Sequence, residues 1–201
     1  MGYAWQTRAN GCRFELHNTS NDRSSEDPTT KRRAEIHDKV HLCDVGKVYW
    51  GAFSFKDTAF SDPAGMKAFA AGSHFQMHMP GGGSPVWALR RKGDGSSTIT
   101  TNPGGNKTRA TFSVSFDAVH DCVYRQIIQP TNGELDVWID GRQVLKYRGA
   151  LSDSKSGNGY YPCYGPYYGS GMSGVIVVEY ANIAPPSLSD LSARLTAAPA
   201  W

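Results

Sequence analysis

The chain has no run approaching the roughly 18 consecutive apolar residues of a membrane-spanning helix, so no membrane span is expected. It also lacks a strong charge of either sign. Lys and Arg total 21 against 18 Asp and Glu, a net charge of +3. That balance tolerates an anionic partner but supplies no argument for nucleic acid, which is not expected here. The stretch from Met1 to Gly11 has no charged segment followed by an apolar one, so no secretory signal peptide is visible. Four cysteines (Cys12, Cys43, Cys122 and Cys163) include no close-spaced pair and no metal-site rhythm. Two disulfides or four buried thiols both fit that spacing.

Helical periodicity is equally scarce. Asp62–Ala71 is one candidate, with Asp62 before Pro63 as cap and first-turn residue. Ser187–Ala198 is another, with Leu188, Leu191 and Leu195 at helical spacing after Pro185 and Pro186. What the chain does contain is alternation of period two. Arg109 to Phe116 places Phe112, Val114 and Phe116 on one face, as a half-buried strand does. Leu135 to Ile139 repeats the pattern and ends in Asp140-Gly141, a two-residue hairpin signal, with Gln143 to Tyr147 returning. Val175 to Tyr180 is β-branched enough for a central strand, and Tyr49 to Phe55 is an aromatic-rich one. With 22 glycines and 11 prolines for turns, this predicts an all-β antiparallel sandwich. One domain is expected over residues 1–184, with 185–201 as a C-terminal tail carrying the second candidate helix.

Three short constellations carry chemistry. Alternation puts Arg33 and Glu35 on one strand face, where the arginine suits a sugar carboxylate and the glutamate holds it. Read alone, they also fit a solvated ion pair. Gln76 and His78 share a face in the same way, with Met77 turned to the core. An amide beside an imidazole suits β-elimination from a uronic acid. The amide neutralises the carboxylate, which acidifies the C5 proton, and neutral histidine accepts that proton. An exposed polar pair is the plainer alternative. The tyrosine-rich run Tyr160 to Gly169 offers a phenol to protonate the leaving oxygen or share the base role, although packed aromatics account for most of such runs. A further cluster, Arg90-Arg91-Lys92, either extends a grip on a polyanion or is a charged hairpin end.

The order Arg-x-Glu, Gln-x-His and a late Gly-x-Tyr strand resembles the jelly-roll polysaccharide lyases with a concanavalin-like sandwich. It is most similar to the group of heparin lyase I and glucuronan lyase, with alginate lyases more distant. Lys47–Phe55, His74–His78 with Ser84–Leu89, and Gly133–Val144 resemble that group's strands in the same order, so the likeness spans residues 11–180. It implies catalytic places for Gln76, His78 and Tyr167, and substrate-binding places for Arg33 and Glu35; Arg90 of the basic cluster and Tyr161 of the tyrosine-rich run are expected to add to the substrate-binding set. The implied activity is cleavage of a uronate-containing acidic polysaccharide by β-elimination, outside the cell or on a virion. One departure stands out: the family's Tyr-Phe-Lys-x-Gly-x-Tyr has its lysine replaced by Cys163. Pro162 and Pro166 further suggest an edge or irregular strand there. The departure keeps open a non-catalytic glycan-binding or phage virion-surface protein on the same fold. No cofactor is indicated. A structural calcium among Asp22, Glu26 and Asp27 is conceivable, without regular ligand spacing to support it.

Overall fold

The computed structural model describes residues 5–17, 31–81, 83–92, 94–103, 105–153, 157–169 and 174–201, apart from 61–71. The candidate helix Asp62–Ala71 and the candidate calcium ligands lie outside them. The strands are β1 Trp5–Arg8, β2 Gly11–His17, β3 Lys31–Arg33, β4 Ile36–His37, β5 Val48–Phe60, β6 Gly72–His78 and β7 Trp87–Arg91. They continue with β8 Ser96–Thr101, β9 Lys107–Ser113, β10 His120–Ile127, β11 Gly133–Ile139, β12 Arg142–Gly149, β13 Tyr161–Gly169 and β14 Val175–Ser187. They make two antiparallel seven-stranded sheets, one ordered β1-β2-β14-β5-β10-β11-β12 and the other β3-β13-β6-β7-β8-β9, with β4 also against β13. The all-β sandwich expected from the alternation is what forms. No helix among the described residues is long and apolar enough to cross a membrane.

Local chemistry accounts for these strands. The apolar members of each alternating run meet between the sheets, where burial stabilises by about 25 cal/mol per Å² of apolar surface. The centre is aromatic: the Phe75 ring lies 4.9 Å from Phe53, 4.8 Å from Trp87 and 5.3 Å from Tyr124. The one indole nitrogen carried into this layer by Trp87 donates to Gln126 Oε1 at 2.7 Å, so it is not left unpaired. At the β11–β12 turn, Asp140 and Gly141 both have positive φ, 52° and 75°, as a primed hairpin turn requires. All four cysteines are buried free thiols.

Three expectations change. The tail forms no amphipathic helix. Strand β14 runs through Pro185 and Pro186 to Ser187, and only a 3-10 turn, Ser192–Leu195, follows. Leu188 is 68% exposed, so the leucine stripe buries nothing that would offset the entropy of an isolated helix. Arg194 pins the tail instead, bonding Asp121 and the Asn182 carbonyl (2.7 Å). Strand β13 is irregular but not an edge, since β3 and β4 flank it on one side and β6 on the other. The carbonyls of Pro162 and Pro166 still accept from Asp38 and Ala34, at 2.9 and 3.0 Å, so missing donors do not prevent pairing. Finally, Arg91 does not join Arg90 in an exposed basic cluster. Its guanidinium is buried against Asp57 of the opposite sheet, at 2.6 Å.

Candidate functional site

The site lies on the face of the second sheet turned away from the first. On β6, Phe75 and Met77 are fully buried in the core, and alternation turns Gln76 and His78 outward. A register shift between Ser73 and Phe75 breaks that alternation one step earlier, so His74 points inward to Asp57 and Tyr168. On β13, Tyr164 and Tyr168 face the core while Tyr161 and Tyr167 line the outer cleft.

Glu35 organises the centre. It sits between β3 and β4, yet its carboxylate reaches across β13 to Gln76 on β6, accepting from Gln76 Nε2 at 2.5 Å. Small residues on the intervening strand permit the crossing. Cys163 pairs with His37 on one side and Gln76 on the other. Gly165, at φ +129°, lies where a Cβ would come within 2.0 Å of the Ala34 carbonyl oxygen. Arg33 Nη1 and His37 Nε2 each stand 3.8 Å from Glu35 Oε2, so the buried carboxylate faces two basic groups and an amide.

His78 Nδ1 lies 3.2 Å from the Met79 carbonyl oxygen and 3.4 Å from the Tyr161 hydroxyl. A carbonyl only accepts, so Nδ1 carries the proton and Nε2 keeps the lone pair of a base. Burial lowers the His78 pKa by penalising the imidazolium, and nearby His37 and Arg33 act in the same direction. The Met79 carbonyl and Glu35 oppose them, without reversing the result. The Tyr161 ring stacks on His78 at 5.5 Å. Arg33 lies over the Tyr167 ring, 4.8 Å from its centroid.

One cleft of about 260 Å³ is lined by Arg33, Glu35, Gln76, His78, Arg90 and Tyr167 among others. It shares Arg33, His78 and Gly83 with a wider arm of about 730 Å³, where Tyr161, His37 and Lys39 stand. Six of the seven site residues read from the sequence therefore line the narrow cleft, and Tyr161 lines the adjoining arm. Arg90 is held there by Thr100 Oγ1, which accepts from its Nε at 2.9 Å. Among the described lining residues, Glu35 is the sole carboxylate, and its side chain is only 1% exposed. Among the described residues no cluster of histidine, cysteine and carboxylate ligands suits a metal ion.

Two contributors escaped the sequence reading. His37 continues the two-residue spacing of Arg33 and Glu35, and following that spacing one step further would have found it. Lys39 is the next step of the same spacing, although it lies beyond the end of β4.

No family model matches the chain, and no curated protein matches it in sequence. Solved structures match it in shape. An endo-β-1,4-glucuronan lyase from the fungus Trichoderma reesei aligns with a TM-score of 0.65 at 16% identity, over 89% of this chain and 81% of the other. The family 7 alginate lyase A1-II′, as a tyrosine-to-phenylalanine variant in complex with product, aligns with a TM-score of 0.65 at 14% identity, over 93% and 84%. A GH131 β-glucanase catalytic domain from Podospora anserina gives 0.57 at 12% identity, over 90% and 73%. At such identities the likeness is one of fold. The jelly-roll sandwich is shared with polysaccharide lyases and with a glucanase, so the chemistry has to be argued from the site.

Proposed function

We propose that this protein is a polysaccharide lyase that cleaves a uronate-containing acidic polysaccharide by β-elimination. The observation that carries this reading is the convergence of Arg33, Gln76, His78 and Tyr167 on one cleft. The uronate carboxylate takes a hydrogen bond from the second N–H of Gln76, the first being held by Glu35, and an ion pair from Arg33. Withdrawing charge into that carboxylate acidifies C5–H. Neutral His78 takes the proton at Nε2, the C4–O4 bond breaks, a C4=C5 double bond forms, and Tyr167 supplies a proton to O4. Hydrolysis is the weaker chemistry here, since it needs two carboxyl groups about the scissile bond and the described lining has one.

A polymer substrate of this kind puts the protein's work outside the cell or on a virion. The test is a panel of polyuronates followed by the ultraviolet absorbance of the unsaturated product. Absorbance rising with at least one polymer is the expected result, and silence across the panel sinks the lyase reading. A second reading, glycan binding without cleavage, is favoured by Cys163, whose buried thiol stands where the resembling family has a lysine. Polymer binding with no double bond formed would select it.

A further inference from the structure

The outer face of β13 carries two tyrosines, and each has a cation over its ring. Arg33 lies 4.8 Å from the Tyr167 centroid, and Lys39 Nζ lies 5.5 Å from that of Tyr161. The tyrosines face His78 and Ser73 of β6, five positions apart across the register shift, which is about 16 Å between backbone positions at roughly 3.3 Å per residue. Arg33, with Lys31 5.6 Å from the same Tyr167 ring, and Lys39 thus mark two stations along the groove, His78 pairing opposite Tyr161 and Gln76 opposite Cys163 between the tyrosines.

The Lys39 station is built from its own turn. Asp38 N–H donates to the Pro162 carbonyl at 2.9 Å, which fixes the segment against β13. The Asp38 carboxylate is engaged within that turn, accepting from the amides of Val40 and His41, both at 3.1 Å, and standing 2.8 Å from His41 Nδ1. Lys39 is exposed and makes no ion pair among the described residues. A ring contact leaves its ammonium donors available, since it is worth only about 0.5–1 kcal/mol at an exposed site. The arm is otherwise lined by Arg33, His37 and His78 at its border with the narrow cleft and by Leu42, Pro80 and Asn158 beyond, with no carboxylate among its described residues.

We infer that Lys39 is a second acid-group site, binding the carboxylate of a different sugar residue from the one held by Arg33 and Gln76. Arg33 is held by Glu35 and the Tyr167 ring, whereas Lys39 stands over the Tyr161 ring, so the two cations offer separate contacts. A polymer that uses both contacts therefore carries acid groups on more than one of its sugar residues, as a continuous polyuronate does. A polymer with widely spaced uronates leaves Lys39 idle. The inference rests on the polyuronate reading of the cleft and narrows its substrate class.

The experiment is calorimetric binding of uronate oligosaccharides of increasing length to His78→Ala protein, which leaves the ligands intact, with and without Lys39→Gln or Lys39→Arg. Lys39→Gln is expected to weaken long oligosaccharides about tenfold, the worth of one charge-assisted contact, while leaving the shortest unchanged. Lys39→Arg keeps most of the affinity, and the difference shrinks at high salt. No loss, or an equal loss at every length, overturns the second site. Failure of all oligosaccharides to bind overturns both it and the polyuronate reading. A length-dependent Lys39 effect in a protein whose native form cleaves nothing sinks the lyase activity and leaves this site standing.

Discussion

Gln76 and Glu35 are joined across an intervening strand, Gln76 Nε2 donating to Glu35 Oε1 at 2.5 Å. The bond decides which end of the amide is which. Its nitrogen faces the carboxylate, leaving one N–H for a ligand, and the Arg33 guanidinium stands 3.8 Å from the other carboxylate oxygen. Glu35 is thus a positioning residue in the proposed reaction.

Glu35→Ala should lower kcat/KM on a responsive polyuronate by roughly ten- to hundred-fold. That corresponds to about 1.5–3 kcal/mol for one hydrogen bond to a charged group. It should also move the acidic limb of the pH profile to lower pH, because the Glu35 charge raises the His78 pKa. A merely structural Glu35 would change stability and leave that limb in place.

Steady-state kinetics should separate the groups in the cleft. His78→Ala and Tyr167→Phe are expected to reduce kcat by about 10² to 10⁴ each with little change in KM, because proton transfer belongs to the transition state. Arg33→Ala should raise KM as well, since its carboxylate contact exists before and during reaction. Intact turnover in both His78→Ala and Tyr167→Phe would remove them from the mechanism.

The pH profile follows from burial of His78. The base is the neutral ring, so kcat/KM should rise with pH through a midpoint below the ordinary histidine value of 6.5. Stability carries the same sign. A folded-state pKa below the unfolded one means that the unfolded chain binds more protons in that window, so this contribution weakens as pH falls below about 6.5. An acidic limb midpoint above 6.5 would contradict the neutral-base assignment.

The core network gives a prediction independent of activity. Asp57 is buried, with Oδ2 2.6 Å from Arg91 Nε and Oδ1 3.1 Å from His74 Nδ1. Burial pushes its pKa up, but the His74 ring and the Arg91 guanidinium outweigh burial and hold it below the usual 3.8. Its stabilisation is therefore full above about pH 3.8 and is lost as pH falls through the lower folded value. Asp57→Asn should cost about 3–5 kcal/mol in urea unfolding at pH 7, the usual consequence of removing one partner of a buried pair. A cost below about 1 kcal/mol would mean that the network relaxes around the neutral amide.

Much of this protein is determined by the sequence alone, because strand alternation and tight turns are local. The runs at Tyr49–Phe55, Leu135–Ile139 and Val175–Tyr180 form strands, and Asp140-Gly141 turns between two of them. The same alternation pairs Arg33 with Glu35 and Gln76 with His78 on shared faces. Tertiary structure decided everything that depends on which strands are neighbours. Placing β13 between β4 and β6 lets Glu35 reach Gln76 and sets His37 beside Tyr161, and no local pattern encodes such a distant pairing. A register shift on β6 sends His74 into the core while Gln76 and His78 stay outside, although all three share one parity. Arg91 turns inward because Asp57 of the opposite sheet supplies its counter-charge, and the tail loses its helix because Arg194 finds Asp121. In each case the deciding free energy is a contact between residues far apart in the chain, which exists only once the two sheets have closed.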